Sequence, residues 1–492
     1  MRFHYILLTA TLLLAGCDLL ADPTEPAIKT PVAWVAPVPA TAEIWPAADW
    51  WRRFGSTELD SLILAAKTDN LDIGMAAARV EQAEAQMRST SSSLWPQLSL
   101  GADASRRGPL DESAAAKERS SSSSGNSNNN NNSGSSSSSS SSSMDTESYG
   151  LSLSASYEVD FWGRNRANRT AALESLRASE YDQQTVALTA TTAVATTYLQ
   201  ILSLRDQIAI ADNNLANARD VLRVVEAKAR LGAVSPADLA QQTGVVAAQE
   251  AVLAPLIQQE RESLNALAVL LGRNPEDLKI KGRSLAELSV PPITSGMPSA
   301  LLERRPDIAQ AEANLAAADA NVVAARAAML PSVDLSGALS LETAVLSTLF
   351  GPAGAAYSVA GSIMQPIFDG GKLAADADLT EAQRKELILS YRSVIITAFS
   401  EVENALGAVH ALDEQYRLQQ VQVEQADIAF RIVSARYKGG TDDLITLLDA
   451  QRTLFDAQDA LSQIKLQQLQ AIVTLYKALG GGWQQDQAAK AS

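Results

Sequence analysis

The stretch that decides the fold is YGLSLSASYEVD at residues 149–160, in which apolar and polar residues alternate. In an extended chain the apolar residues fall on one face, and serine and acidic residues fall on the other. A half-buried strand of a soluble sheet has the same pattern, and taken alone the alternation favours that interpretation. In an envelope protein it fits a transmembrane strand, with apolar residues towards lipid and small polar residues towards water.

The N-terminus indicates an envelope protein. Arg2 supplies a positive charge, residues 6–14 form an apolar run, and the sequence LAGC ending at Cys17 resembles a bacterial lipobox. We therefore predict a signal peptide over residues 1–16, a covalent lipid on Cys17 and a lipid-anchored extended arm over residues 17–50. The alternative is an ordinary signal peptide with a chance cysteine.

The rest of the chain is an internal duplication. A set of hairpin residues recurs at a constant offset of 208: Gly232, Leu239, Leu271 and Gly272 match Gly440, Leu447, Leu479 and Gly480. Earlier in each copy, Pro96 matches Pro331 at an offset of 235. We predict a first structural repeat over residues 51–290, a second over residues 298–480 and a C-terminal tail over residues 481–492. A repeat this long is a duplicated architectural unit rather than a solenoid repeat.

Each copy is predicted to combine two short strands with a very long helical hairpin. The predicted strands are residues 95–105 and 148–161 in the first copy, and 331–341 and 357–368 in the second. The predicted hairpins are residues 166–271 and 372–479, and shorter helical patterns cover 51–89 and 300–329. The fold class is therefore α+β.

One segment occurs in the first copy alone. Residues 120–143 consist entirely of serine, asparagine and glycine. Such a tract cannot bury apolar surface that offsets its ordering entropy, so we predict a disordered insert in a strand–strand loop. Because the long loops of outer-membrane barrels face outward, the insert is expected outside the cell as a neutral spacer.

The number of strands predicts an oligomer. Four strands cannot close a barrel, because closure takes roughly eight or more. A dimer would supply eight strands, whose interior side chains nearly fill the barrel, whereas a trimer would supply twelve and leave a pore. We favour the trimer.

The composition excludes several classes of function. The net charge of −16 argues against a nucleic-acid partner. With Cys17 as the single cysteine, and His4 and His410 as the two histidines, disulfides are impossible and imidazole or thiolate metal sites nearly so. Nucleophile-elbow and phosphate-loop motifs are also missing. We predict that the chain is not an enzyme and uses no cofactor or metal.

Several motifs carry a family resemblance. They are YEVDFWG at residues 157–163, PSALLERRPDI at 298–308, QPIFDGG at 365–371, RYKGG at 436–440 and LLDAQR at 447–452. The chain resembles the TolC-like outer-membrane factors, in particular the efflux lipoprotein branch of the OprM/NodT type. The resemblance extends over residues 20–483 apart from the serine-rich insert.

The resemblance implies a fold and a function. The fold is a homotrimer with a shared 12-stranded barrel in the outer membrane of a Gram-negative bacterium, continued by a long periplasmic α-helical barrel. The function is a passive exit duct for drugs and other small toxic compounds. The implied partners are a periplasmic adaptor (membrane fusion) protein and an inner-membrane pump of the RND type.

The resemblance also implies two sets of site residues. The residues that close the periplasmic aperture are Tyr437, Ile445, Asp449 and Arg452. The residues that contact the adaptor are Gly232, Ser235, Gly439, Gly440 and Thr441. Spacing places Asp449 and Arg452 on one helix face, and an ordinary exposed ion pair is the alternative interpretation of these two residues.

Two other functions remain open from the sequence. Protein export by a type I secretion system uses the same fold, although the lipobox favours efflux. A structural envelope lipoprotein with coiled-coil arms is the second alternative, and it predicts no ion conductance in lipid bilayers.

Overall fold

The computed structural model describes residues 30–31, 33–36, 45–107, 146–291, 297–351 and 354–483. The predicted signal peptide, the lipidation site Cys17, the serine-rich insert at 120–143 and most of the C-terminal tail lie outside the described residues.

Eleven helices and strands follow in chain order within the described residues. They are α1 (Thr57–Asp69), α2 (Leu71–Ser91), β1 (Gln97–Arg107), β2 (Thr146–Glu158), α3 (Arg164–Arg230), α4 (Pro236–Leu270), α5 (Pro306–Ala327), β3 (Ser332–Thr343), β4 (Ala355–Met364), α6 (Lys372–Gly439) and α7 (Leu444–Ala478). Short 3₁₀ turns connect them, including Trp50–Phe54 and Pro298–Glu303.

The four strands form one antiparallel sheet in the order β1-β2-β3-β4. The register places a row of apolar residues side by side across the sheet: Leu100, Leu153, Leu339 and Tyr357. The next row is small and polar, with Ser99, Ser154, Ala338 and Ser358, and the hydroxyls of Ser99 and Ser154 are 2.6 Å apart. The alternation at residues 149–160 therefore gives the sheet one apolar and one polar face.

The apolar face of the sheet is exposed. Leu100 is 73% exposed, and Tyr357 and Val359 are 84% and 83% exposed. A soluble monomer rarely leaves large apolar side chains uncovered in a continuous patch, because their hydration is unfavourable. A face of this kind is suited to lipid.

The strands β2 and β4 end earlier than the sequence predicts, at Glu158 rather than residue 161 and at Met364 rather than residue 368. In both places an aspartate caps the following helix. The Asp160 carboxylate accepts hydrogen bonds from the N–H groups of Asn165 and Arg166, at 3.0 and 2.9 Å. Asp369 accepts from Gly371 and Leu373, at 2.9 and 2.8 Å. Backbone donors at a helix start are satisfied in this way, which ends the strand.

The helical pattern predicted over 51–89 is interrupted. Ser56 caps α1 by accepting a hydrogen bond from the N–H of Leu59 at 3.1 Å, and Asn70 separates α1 from α2. The pattern over 300–329 is likewise a 3₁₀ turn followed by α5, which begins at Pro306 because proline fits the first helical position. The start of the predicted C-terminal tail is packed against the protein, since the ring of Trp483 contacts that of Tyr181 at 5.8 Å between ring centres.

The described residues divide into two compact units, and each copy of the duplication contributes to both. The first unit comprises Met87–Thr170 and Ala320–Glu381, which contain the sheet. The second comprises Asp22–Gln86, Ala171–Asp319 and Ala382–Ser492, which contain most of the helices. The main core of the second unit includes fully buried aromatic residues at Trp50, Phe54, Tyr198 and Tyr476.

The duplication is preserved at the level of single contacts. In the first copy, the amide of Asn70 donates to the carbonyl of Leu270 at 2.7 Å. In the second, the guanidinium of Arg305 donates to the carbonyl of Ala478 at 3.0 Å. These donors are 235 residues apart and the acceptors 208 apart, which are the two offsets of the sequence repeat. Each copy thus ties the end of its returning helix to the start of a shorter helix.

One described helix, α3, contains an 18-residue window that is apolar enough by length and composition to cross a membrane, with a mean hydropathy of 1.2. Half of that window is buried within the protein.

Candidate functional site

The two helical hairpins end in turns with the same backbone geometry. Gly232 and Gly440 have φ angles of +70° and +79°, and the N–H after each glycine donates to a carbonyl five residues earlier, at 2.9 and 3.0 Å. This left-handed helix ending favours glycine, because other residues are strained at positive φ.

Each returning helix begins with a side-chain cap. Ser235 forms a reciprocal capping box with Asp238 at the start of α4. Asp443 accepts a hydrogen bond from the N–H of Thr446 at 2.8 Å at the start of α7, and the hydrogen bonds of Thr446 lower the pKa of the Asp443 carboxyl. The five predicted adaptor-contact residues lie in or beside these two turns and are exposed: Gly232, Ser235, Gly439, Gly440 and Thr441.

Three of the four predicted aperture residues share one exposed face of α7. Ile445, Asp449 and Arg452 follow at spacings of four and three residues, which places them along one side of the helix. The Arg452 guanidinium lies 2.5 Å from an oxygen of Asp449, and their side chains are 73% and 66% exposed. The opposite side of α7 is buried through Leu447 and Leu454.

The fourth predicted residue, Tyr437, lies elsewhere. It is buried in the cluster that packs the hairpin ends together. The ammonium of Lys228 lies 3.9 Å from the centre of its ring and donates to its carbonyl oxygen at 2.5 Å. Burial, and next the charge of Asp238, raise the pKa of the Tyr437 hydroxyl. The structure therefore separates Tyr437 from the exposed face of α7.

Lys228 is the residue that the sequence interpretation missed. It lies 208 residues before Arg436, so it occupies the equivalent position in the first hairpin. Arg436 contacts Asp442 at 2.9 Å within its own turn, whereas Lys228 reaches from the first hairpin to the second. Aligning the two copies at this offset points to Lys228, because it places a second basic residue at the position of Arg436.

The hairpin ends also bury polar groups without partners. Both side-chain atoms of Gln451 and the hydroxyl of Tyr437 lack a hydrogen-bond partner, although both residues are at most 3% exposed. Leaving such a group unsatisfied costs roughly 1–3 kcal/mol. The packing at this end of the second hairpin is therefore not optimal for stability.

The family follows from the sequence profile. The profile of the outer membrane efflux protein family matches residues 62–273 and 297–481, one segment in each copy of the duplication. The chain belongs to the outer membrane efflux protein family. The resemblance inferred from the motifs is confirmed.

Individual outer membrane efflux proteins match over nearly the whole chain. The pyoverdine export outer membrane protein OpmQ of Pseudomonas putida KT2440 is 42% identical over 489 residues, which is 98% of this chain and 98% of OpmQ. The solvent efflux pump outer membrane protein SrpC of Pseudomonas putida is 32% identical over 98% of this chain and 99% of SrpC. The open-state crystal structure of the Neisseria gonorrhoeae MtrE outer membrane channel superposes with a TM-score of 0.80 at 29% identity, over 95% of this chain and 99% of MtrE.

Family membership determines the general function. The chain is an efflux channel of the outer membrane, with the α+β channel fold that the sequence predicts. The predictions of outer-membrane localisation and of a non-enzymatic function are confirmed. Efflux, rather than protein export or a purely structural role, is the function that the family description names.

Proposed function

We propose that this chain is the outer-membrane exit duct of a tripartite pump that exports a pyoverdine-class siderophore. The proposal rests on the difference in sequence identity between two relatives that each match 98% of this chain. OpmQ, named for pyoverdine export, is 42% identical, whereas the solvent channel SrpC is 32% identical. The duct itself is passive, and the partners are a periplasmic adaptor protein and an inner-membrane pump of the RND type.

The sheet supports assembly as a homotrimer. Within the described residues, β1 and β4 are the edge strands, each hydrogen-bonded on one side. The exposed edge of a strand has unpaired backbone N–H and C=O groups, which favour pairing with another strand. Because the antiparallel sheet has an even number of strands, β4 of one protomer runs antiparallel to β1 of the next. Three protomers supply twelve strands, enough for an open barrel.

The two faces of the sheet support its placement in the membrane. The exposed apolar row that contains Leu100 and Tyr357 faces lipid, and the row of small residues that contains Ser99 and Ser154 faces the lumen. Small lumen side chains leave space for a substrate to pass. The lipid on Cys17, outside the described residues, anchors the mature N-terminus to the same membrane.

The exposed face of α7 supports a closed aperture at the hairpin ends. In a trimer, three copies of Asp449 and Arg452 meet near the axis, where charged rings control passage. Ile445 adds an apolar constriction beside them. The exposed turn residues, Gly232 and Gly440 among them, receive the adaptor.

The experiment is a deletion of the gene in its native host, grown under iron limitation. Siderophore is quantified by mass spectrometry in the medium and in the periplasmic fraction, with a plasmid-borne wild-type copy as the control. We expect less siderophore in the medium and accumulation in the periplasm, with both restored by the plasmid. Unchanged siderophore export together with lowered solvent tolerance would instead assign the chain to solvent efflux.

A further inference from the structure

A half-open cavity of about 360 Å³ lies within the helical unit, away from the hairpin ends. Its walls come from α3, the segment at residues 284–286, α6 and α7. Ile210, Leu285 and Leu461 give it an apolar lining, and Tyr416 and Lys465 bring polar groups to it. A mainly apolar concavity with a few converging polar groups is the usual form of a small-molecule site.

Lys465 brings a positive charge to this cavity, and the negative charges of the protein neutralise it only in part. Its ammonium lies 4.7 Å from the centre of the Tyr416 ring and makes one long hydrogen bond, 3.3 Å to the side-chain oxygen of Gln468. The carboxylate of Asp413 binds the other end of Gln468 at 3.0 Å. Burial lowers the pKa of Lys465, and Asp413 opposes that shift only in part.

The acidic group at the cavity is already engaged. Asp206 accepts a hydrogen bond from the N–H of Leu285 at 2.9 Å, which fixes its carboxylate against the segment at 284–286. Within the described residues, the Lys465 ammonium therefore contacts the side-chain oxygen of Gln468 and no carboxylate directly.

From this geometry we propose that the cavity binds a small amphiphilic carboxylate, with its carboxylate on Lys465 and its apolar body against Ile210, Leu285 and Leu461. The carboxylate would accept a hydrogen bond from the Lys465 ammonium, and a charged hydrogen bond of this kind is among the strong ones. The aromatic ring of Tyr416 adds a contact surface for an unsaturated or aromatic body.

The first test is protection of Lys465 in the full-length wild-type protein. The purified channel is acetylated with an amine-reactive ester in the presence of 2-naphthoate, or of the neutral 2-naphthylmethanol, and modification is quantified by mass spectrometry. We expect naphthoate to lower acetylation of Lys465 severalfold, and the alcohol and the exposed Lys279 to show no such effect. Equal protection by the alcohol, or no protection by naphthoate, would overturn the proposal.

The second test uses variants and equilibrium dialysis of naphthoate. Lys465→Met is expected to reduce binding at least tenfold without lowering the thermal midpoint, because an incompletely compensated charge leaves the interior. The control Lys279→Met, at an exposed position, should leave binding unchanged. Binding by Lys465→Met at the wild-type level would contradict the assignment of the cation, whatever the outcome of the labelling.

Discussion

Lys228 at the end of the first hairpin holds Tyr437 at the end of the second, through both its ring and its carbonyl. The ammonium lies 3.9 Å from the ring centre, and the carbonyl oxygen lies 2.5 Å from Nζ. A cation over an aromatic ring contributes about 0.5–2 kcal/mol. This contact joins the two copies of the duplication beside the proposed aperture.

Lys228→Met should therefore loosen the second hairpin from the first. Losing about 1.4 kcal/mol from the closed arrangement would shift the closed-to-open ratio roughly tenfold. We expect more frequent open events in planar-bilayer recordings. Arg230→Met, two residues later and exposed, is the matched control and should behave as wild type. Identical open frequencies for Lys228→Met and wild type would show that the contact does not restrain the hairpin.

Gly480 is predicted to be a position at which any side chain destabilises the fold. Its φ is +85°, and a Cβ placed there would overlap the carbonyl oxygen of Arg304. We expect Gly480→Ala to destabilise the protein by more than about 2 kcal/mol, because left-handed strain and a backbone clash combine. Thermal unfolding of the purified channel measures the effect. Gly439→Ala is the control, since a Cβ there meets nothing within 4 Å, and equal midpoints for the two variants would refute the clash.

Glu403 is predicted to hold the N-terminal arm. Its two carboxylate oxygens accept hydrogen bonds from the N–H groups of Val35 and Ala36, at 2.7 and 3.0 Å, and Trp34 packs edge-on against Phe399. In Glu403→Gln one acceptor becomes a donor that faces an N–H, so we expect faster amide hydrogen exchange at residues 35 and 36. Glu424→Gln, an exposed acid on the same helix, is the control. Unchanged exchange in Glu403→Gln would place the arm's attachment elsewhere.

Local sequence patterns predict the strands and the hairpin turns of this fold. The alternation at 149–160 specifies a strand because its period matches the pleat, and Gly232 and Gly440 mark turns because left-handed helix ends favour glycine. The ends of β2 and β4 are harder to predict from the sequence, because the helix caps by Asp160 and Asp369 compete with strand pairing.

Contacts between distant residues are the parts that local pattern does not encode. The position of Tyr437 beside a turn suggests an aperture residue, yet Tyr437 is buried, and its carbonyl binds Lys228, which lies 209 residues away in the chain. Likewise Glu401 and Glu403, two apart on one helix, contact different partners: Glu401 pairs with Arg305 at 2.7 Å, and Glu403 binds the arm. Only the three-dimensional fold assigns these roles.

The most direct test of the account is the single-channel conductance of Asp449→Ala in planar lipid bilayers. Gln241→Ala is the matched control, because Gln241 is exposed and occupies the equivalent position in the first hairpin. If Asp449 closes the duct, its removal should raise the conductance severalfold while Gln241→Ala matches wild type. An Asp449→Ala channel with wild-type conductance would contradict closure at this face of α7.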